Sequence, residues 1–250
     1  NMKIIGLVNI QLAYVNNNVY LLEVNPRASR TIPFVSKALG VPLARVAAKV
    51  MAGKSLKDLK FQNVPNLEGF FVKEAVMPFN KFQNVDPILG PEMRSTGEVM
   101  GIGNSFAEAF EKAEVGAGVE IPKEGSVFIS VRDTDKQFLS EIVPSLVEED
   151  FNLIATKGTA SVIKNMGFKV SQIKKVIEGR PNIVDLMKNK EVNLVINTTE
   201  GRESILDSAS IRRTALDEKI CCTTTIKGAK AICEVITKKV DWSYRKLQDI

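Results

Sequence analysis

The sequence predicts an α/β fold in two parts, and three observations carry the prediction. Residues 4–25 alternate apolar and polar around Asn16-Asn17-Asn18, the pattern of a β-hairpin. From Ser126 onward, short β-branched runs alternate with helical stretches, which points to a parallel sheet covered by helices on both faces. Between them, Gly116-Ala-Gly118 and Pro122 mark a linker, so the chain reads as residues 1–118 followed by residues 119–250.

Composition narrows the function classes. A chain of 250 residues can bury a good core and more naturally holds two units than one. Its net charge of +5 is spread along the chain without a basic tract, which favours small anionic ligands over nucleic acid. No apolar run reaches the ~18 residues a spanning helix needs, and residues 1–20 lack the order of a signal peptide. Cys221, Cys222 and Cys233 are an odd set without metal spacing, as in a reduced, cytoplasmic protein. Histidine is absent, which removes Ser-His and Cys-His nucleophiles together with the usual zinc ligands.

The elements follow in order. Ile10, Leu12 and Tyr14 point one way and Asn9 and Gln11 the other; the second strand sets Tyr20, Leu22 and Val24 against Glu23 and Asn25. With all three asparagines in the loop, Tyr14 faces Tyr20, Leu12 faces Leu22, Ile10 faces Val24 and Gln11 faces Glu23. Pro42 to Ala52 has helical spacing, with Gly53 at its exit. Gly69 to Met77 is strand-like; an irregular stretch and a short strand ending near Gly101 follow. Ser105, with Glu108 completing a capping box, starts a helix to Glu114. Strands are then expected over 127–131, 152–155, near 170, over 192–197 and over 220–222. Helices are expected over 136–149, 159–166, 183–190, 210–219 and 226–239.

The hairpin's polar face carries the first candidate site. Gln11, Glu23 and Asn25 offer a carboxylate and two carboxamides, oxygen ligands suited to Mg2+ or Mn2+. Pro26 stops the ladder, and Arg27 and Arg30 add two guanidiniums of the kind that bind phosphate or acyl phosphate. An arbitrary hairpin would simply expose such a face to water. Here Glu23-Val-Asn-Pro-Arg-Ala28, preceded by Gln11 and followed by Arg30-Thr-Ile-Pro-Phe-Val-Ser-Lys37, resembles the end of an ATP-grasp domain. Phe79-Asn-Lys-Phe82 and Leu89-Gly-Pro-Glu-Met-Arg-Ser-Thr-Gly-Glu98 carry the resemblance further, to the second such domain in the carbamoyl-phosphate synthetase large-subunit family.

The second candidate site lies where strands of a parallel sheet end. Arg132 to Lys136, Thr156-Lys-Gly-Thr159 and Asn197-Thr-Thr-Glu-Gly-Arg202 each follow a strand, and ligands of open parallel sheets bind beyond those carboxyl ends. Singly, Thr159 is an ordinary helix cap, Lys136 a solvated lysine and Asn197 a turn former. Together they suit a phosphate, with Thr159 at a helix N-terminus and Lys136 and Lys175 as point charges. This half resembles the methylglyoxal-synthase-like, Rossmann-like domain of the same family. The family's nucleotide-site pattern falls on Lys136, Thr156, Thr159, Lys175, Asn197, Thr199 and Asp207, with Lys157 where a histidine is common. Glu74 and Thr224 fall where enteric relatives bind ornithine.

The resemblance implies a ligase that makes carbamoyl phosphate from bicarbonate, glutamine-derived ammonia and two ATP, for pyrimidine and arginine synthesis. Residues 1–118 would be the end of an ATP-grasp domain and residues 119–250 an allosteric domain for UMP or IMP. Gln11 and Glu23 would meet ATP through the metal, and Arg27 and Arg30 would serve catalysis. A glutaminase small subunit, and an oligomer of such heterodimers, would be partners. The chain itself reads as the C-terminal piece of a longer polypeptide, inactive alone. Two other readings stand beside this one: a methylglyoxal-synthase-type lyase, and a non-catalytic nucleotide-binding module. The lyase needs a carboxylate base, and Gly179-Arg-Pro-Asn-Ile183, where that family carries an aspartate, has none.

Overall fold

The computed structural model describes residues 2–61, 66–79, 94–242, 244 and 246. The motif residues 80–93 lie outside that description. Two compact units part at Gly69/Phe70, the second running Phe70–Trp242.

In the first unit, β1 (Asn9–Val15) and β2 (Asn18–Asn25) form an antiparallel hairpin, followed by α1 (Ile32–Leu39) and α2 (Leu43–Met51). Asn16 and Asn17 alone make the turn, both at positive φ (50° and 62°), while Asn18 already pairs with Val15. Asparagine tolerates this left-handed geometry, which a two-residue turn of this hand requires at both positions. The shorter turn corrects the expected register. Leu12 faces Leu21 and Tyr14 faces Val19, until a bulge between Gln11 and Leu12 restores Gln11 to Glu23 and Ile10 to Val24. The helix α1 was not foreseen; Pro33 stands in its first turn and Gly40 closes it at φ 64°.

The second unit begins with antiparallel β3 (Phe70–Val76) and β4 (Gly97–Gly103), which carry α3 (Phe106–Gly116) on one face. Contact is close because β4 presents glycines: a Cβ at Gly103 would lie 2.7 Å from Ala109 N, and one at Gly101 would run into the Ala109 carbonyl. Ser105 caps α3 by accepting from Glu108 N. The Glu108 carboxylate reaches back to Asn104 N–H, one residue earlier than a capping box would place it. These elements pack in the second unit, whereas the sequence groups them with residues 1–118.

A five-stranded parallel sheet follows, of β5 (Ser126–Ser130), β6 (Asn152–Thr156), β7 (Ser171–Ile173), β8 (Leu194–Asn197) and β9 (Cys221–Thr223). Its order is β7-β6-β5-β8-β9, all neighbours parallel. Alternation decides what each face meets. Val127, Ile129, Leu194 and Ile196 join one core with α4 (Leu139–Glu148), α5 (Lys157–Asn165) and α9 (Ile226–Lys238). Phe128 and Val195 join the other, with α6 (Ile183–Lys188) and α8 (Ala209–Asp217). Each such side chain, fully buried, contributes about 1.5–3 kcal/mol of burial free energy. A short helix α7 (Arg202–Asp207), unforeseen in the sequence, precedes α8, and a 3-10 turn at Asp133–Phe138 precedes α4. The chain reverses direction across the sheet between β5 and β8, which is where such sheets open a crevice at their carboxyl ends.

Candidate functional site

A cavity of about 530 Å3 occupies that crevice. Its walls come from the ends of β5, β6 and β8 and from the segments after these strands and after β7, and they include Lys136, Thr156, Thr159, Lys175, Asn197 and Thr199. Six of the seven residues expected at a nucleotide site therefore meet in one place. Asp207 belongs to α7, but its side chain lies outside the described structure.

The strand ends are tied together by their own polar atoms. Ser130 Oγ and Thr156 Oγ1 share a hydrogen bond of 3.1 Å. Val131 N–H donates to Thr159 Oγ1 at 3.2 Å, which leaves the Thr159 hydroxyl hydrogen to donate elsewhere. Arg132 N–H donates to Thr198 Oγ1 at 3.1 Å. Asn197 is 1% exposed, and its carboxamide N–H2 has no acceptor among the described residues. A buried donor without a partner costs about 1–3 kcal/mol, so an acceptor from a bound water or a ligand is favoured at this position.

Charge points the same way. α5 starts at Lys157, its first-turn residues Gly158 and Thr159 line the cavity, and Lys136 Nζ lies 3.2 Å from where a Cβ on Gly158 would begin. Helix N-terminus, ammonium and orphan amide all favour an anion. Two carboxylates that the sequence reading did not single out also line the cavity, Asp133 and Glu200. Asp133 pairs with Lys136 at 2.6 Å. The hydrogen bond and charge of Lys136, with a smaller contribution from Lys175, hold its carboxyl below the usual range. Ser130, Ser204 and Ser208 were missed as well, and Thr198 entered only as part of the Asn197–Arg202 stretch. Their only sequence signal is position after a strand or within a short helix, which many serines and threonines share.

On the hairpin, the ladder sets Gln11 opposite Glu23, and Asn25 Nδ2 donates to Glu23 Oε1 at 2.7 Å. The three side chains expected to hold a cation thus come together on one exposed face. The donor set is all oxygen but holds a single carboxylate, so phosphate oxygens would have to complete a divalent site. Among the described residues no group of three or more His, Cys, Asp or Glu is arranged so that it could hold a metal ion. Arg27 is exposed and donates to Ala28 O at 3.1 Å; Arg30 is exposed close behind it.

Glu74 is half-buried on β3 and Thr224 is exposed after β9; neither lines the cavity. Burial, and then the charge of Glu74, raise the Glu114 carboxyl to about 7. Burial pushes the Cys222 and Cys233 thiols up to about 12 and Cys221 higher still, so all three are poor nucleophiles. A larger cavity, about 870 Å3, opens at the amino ends of β8 and β9. On its wall Glu111 accepts from Trp242 Nε1 at 2.9 Å and pairs with Lys123.

A doubly wound parallel sheet with a donor-rich crevice at its switch point is a Rossmann-like α/β domain, and that crevice is where such sheets place ligands. Comparison with known proteins gives that class a family. Residues 139–224 match the family described as MGS-like domain, and residues 1–59 match the carbamoyl-phosphate synthase L chain, ATP binding domain. The carbamoyl phosphate synthase large chain of Pseudomonas syringae pv. tomato is 55% identical over 251 residues, covering 100% of this chain and 23% of that one. The Pseudomonas aeruginosa large chain is 56% identical over 100% of this chain and 23% of its own length. The Pasteurella multocida large chain is 52% identical over 98% and 23%. Along its whole length, then, the chain is related to the carbamoyl phosphate synthase large chains, and it spans about a quarter of them (23%). Among solved structures, methylglyoxal synthase from Elizabethkingia anophelis NUHP1 aligns over 45% of this chain and 79% of its own, with 17% identity and a TM-score of 0.38. No helix among the described residues is long and apolar enough to cross a membrane.

Proposed function

We propose that this chain serves as the effector-binding part, with one edge of an ATP site, of a glutamine-hydrolysing carbamoyl-phosphate synthase large chain. The observation that carries the effector site is the buried, unpartnered amide of Asn197 in a cavity it shares with Lys136, Thr159 and Lys175. A 5′-nucleotide such as UMP or IMP supplies what that wall lacks. Its phosphate accepts from Thr159, from the first turn of α5 and from the two ammonium groups, and the effector shifts the synthetase between two states by differential affinity. Glu74 and Thr224 are the proposed contacts for ornithine.

The full enzyme would join bicarbonate, glutamine-derived ammonia and two ATP, serving pyrimidine and arginine synthesis in the cytoplasm with a glutaminase small subunit. In that reaction Gln11, Glu23 and Asn25 would hold Mg2+ or Mn2+, which supplies charge neutralisation on the ATP phosphates when bound. Arg27 and Arg30 would orient and neutralise the transferred phosphoryl group. With one edge of the ATP site alone, this chain would be inactive.

Lyase chemistry at the crevice is the weaker reading. Of the carboxylates on the wall, Asp133 is clamped by Lys136 and held below the usual range, the opposite of what a general base needs. Incubation with dihydroxyacetone phosphate should yield no methylglyoxal. UMP or IMP should raise the melting temperature of this chain, because a ligand at a hundred times its Kd adds about 2.7 kcal/mol to stability. Lys175→Ala should remove that shift while leaving the unliganded melting temperature in place, since Lys175 is exposed. Equal shifts in wild type and variant would sink the assignment.

A further inference from the structure

We infer that Asp133 is a built-in competitor for the anion in this crevice: its carboxylate contends with an incoming phosphate for Lys136 and so sets the affinity of the site. The inference rests on the nucleotide-site reading and adds a residue to it. The Lys136–Asp133 pair is lopsided. The lysine side chain is 26% exposed, whereas the aspartate side chain is 92% exposed. The cation is therefore the fixed half, resting on the first turn of α5, and the carboxylate is the half that water can replace.

Position explains why a counter-ion belongs there. An ammonium over a helix N-terminus meets the positive end of the helix dipole and is disfavoured unless an anion compensates. Asp133 provides that anion from the crevice rim, and the orphan amide of Asn197 on the same wall shows the cavity also asks for an acceptor that Asp133 does not supply. Lys175 acts on Asp133 as well, so two cations face one carboxylate. A phosphate dianion matches that pair better than Asp133 does, and exposed ion pairs are weak enough to yield. An ordinary surface pair three residues apart would need neither the cavity nor the contact with Gly158.

Two-dimensional NMR titration of the whole chain with inorganic phosphate and with UMP, read at the Gly158 and Thr159 amides, tests this because it measures weak binding as well as tight. Asp133→Asn should tighten both probes about two- to fivefold, the range an exposed ion pair supports. In a Lys136→Gln background the same substitution should give no gain. Wild-type binding with no gain on Asp133→Asn overturns the inference and leaves the site reading intact. A gain that persists without Lys136 also overturns it, since plain repulsion would then be the cause. No response to either probe in any variant removes the site reading and this inference together.

Discussion

On the proposed reading, stability and binding share one hydroxyl at Thr159. It is 1% exposed and accepts from Val131 N–H, so Thr159→Val leaves a buried N–H without a partner and should cost about 1–3 kcal/mol in chemical denaturation. Thr159→Ser keeps the oxygen and should retain both stability and nucleotide binding. That contrast isolates the hydroxyl; a serine variant as damaged as the valine would show that the buried methyl matters as much as the hydroxyl. Glu114 gives a residue-scale prediction about pH. Its carboxyl is raised from 4.5 to about 7 in the folded protein, so the native state binds the proton more tightly and stability falls as pH rises through that interval. Glu114→Gln should match wild type below pH 4.5 and melt at a higher temperature than wild type above pH 7. A gap independent of pH would exclude burial of the charge as the cause.

At the level of elements, the glycines of β4 fix how closely α3 sits. Gly101→Ala would drive a methyl into the Ala109 carbonyl and should destabilise the second unit by about 1–3 kcal/mol, measured by urea denaturation; a neutral outcome would mean α3 can lift away. Elements were legible wherever a period or a cap was plain. The strand expected over Val192 to Asn197 is β8 at Leu194–Asn197, and Thr225, which accepts from Gly228 N–H, opens α9 where the sequence places a helix. Helix α1 was hidden because Arg30 to Lys37 read as a motif, and α7 because six residues carry too little periodicity to announce a helix. The hairpin bulge was illegible for a physical reason. Both registers pair large apolar residues, and only the turn geometry of Asn16 and Asn17 chooses between them.

For the whole molecule, the family resemblance read from residues 11–37 and from the strand ends holds over the full length of the chain. The crevice residues were legible because a parallel sheet brings every strand's carboxyl end to one edge, so sequence order already implies convergence. Asp133 was not singled out, since its meaning lies in a pairing with Lys136 that only three-dimensional contact reveals. In a full-length large chain, Glu23→Gln should suppress carbamate phosphorylation while leaving effector binding intact; loss of both would indicate misfolding. The most direct measurement is calorimetric titration of this chain with UMP and IMP beside uridine and inosine. The account predicts one nucleoside monophosphate per chain, weakened by salt and by Lys136→Ala, and no heat from either nucleoside. Nucleosides binding as well as their monophosphates, or monophosphates not binding at all, would contradict it.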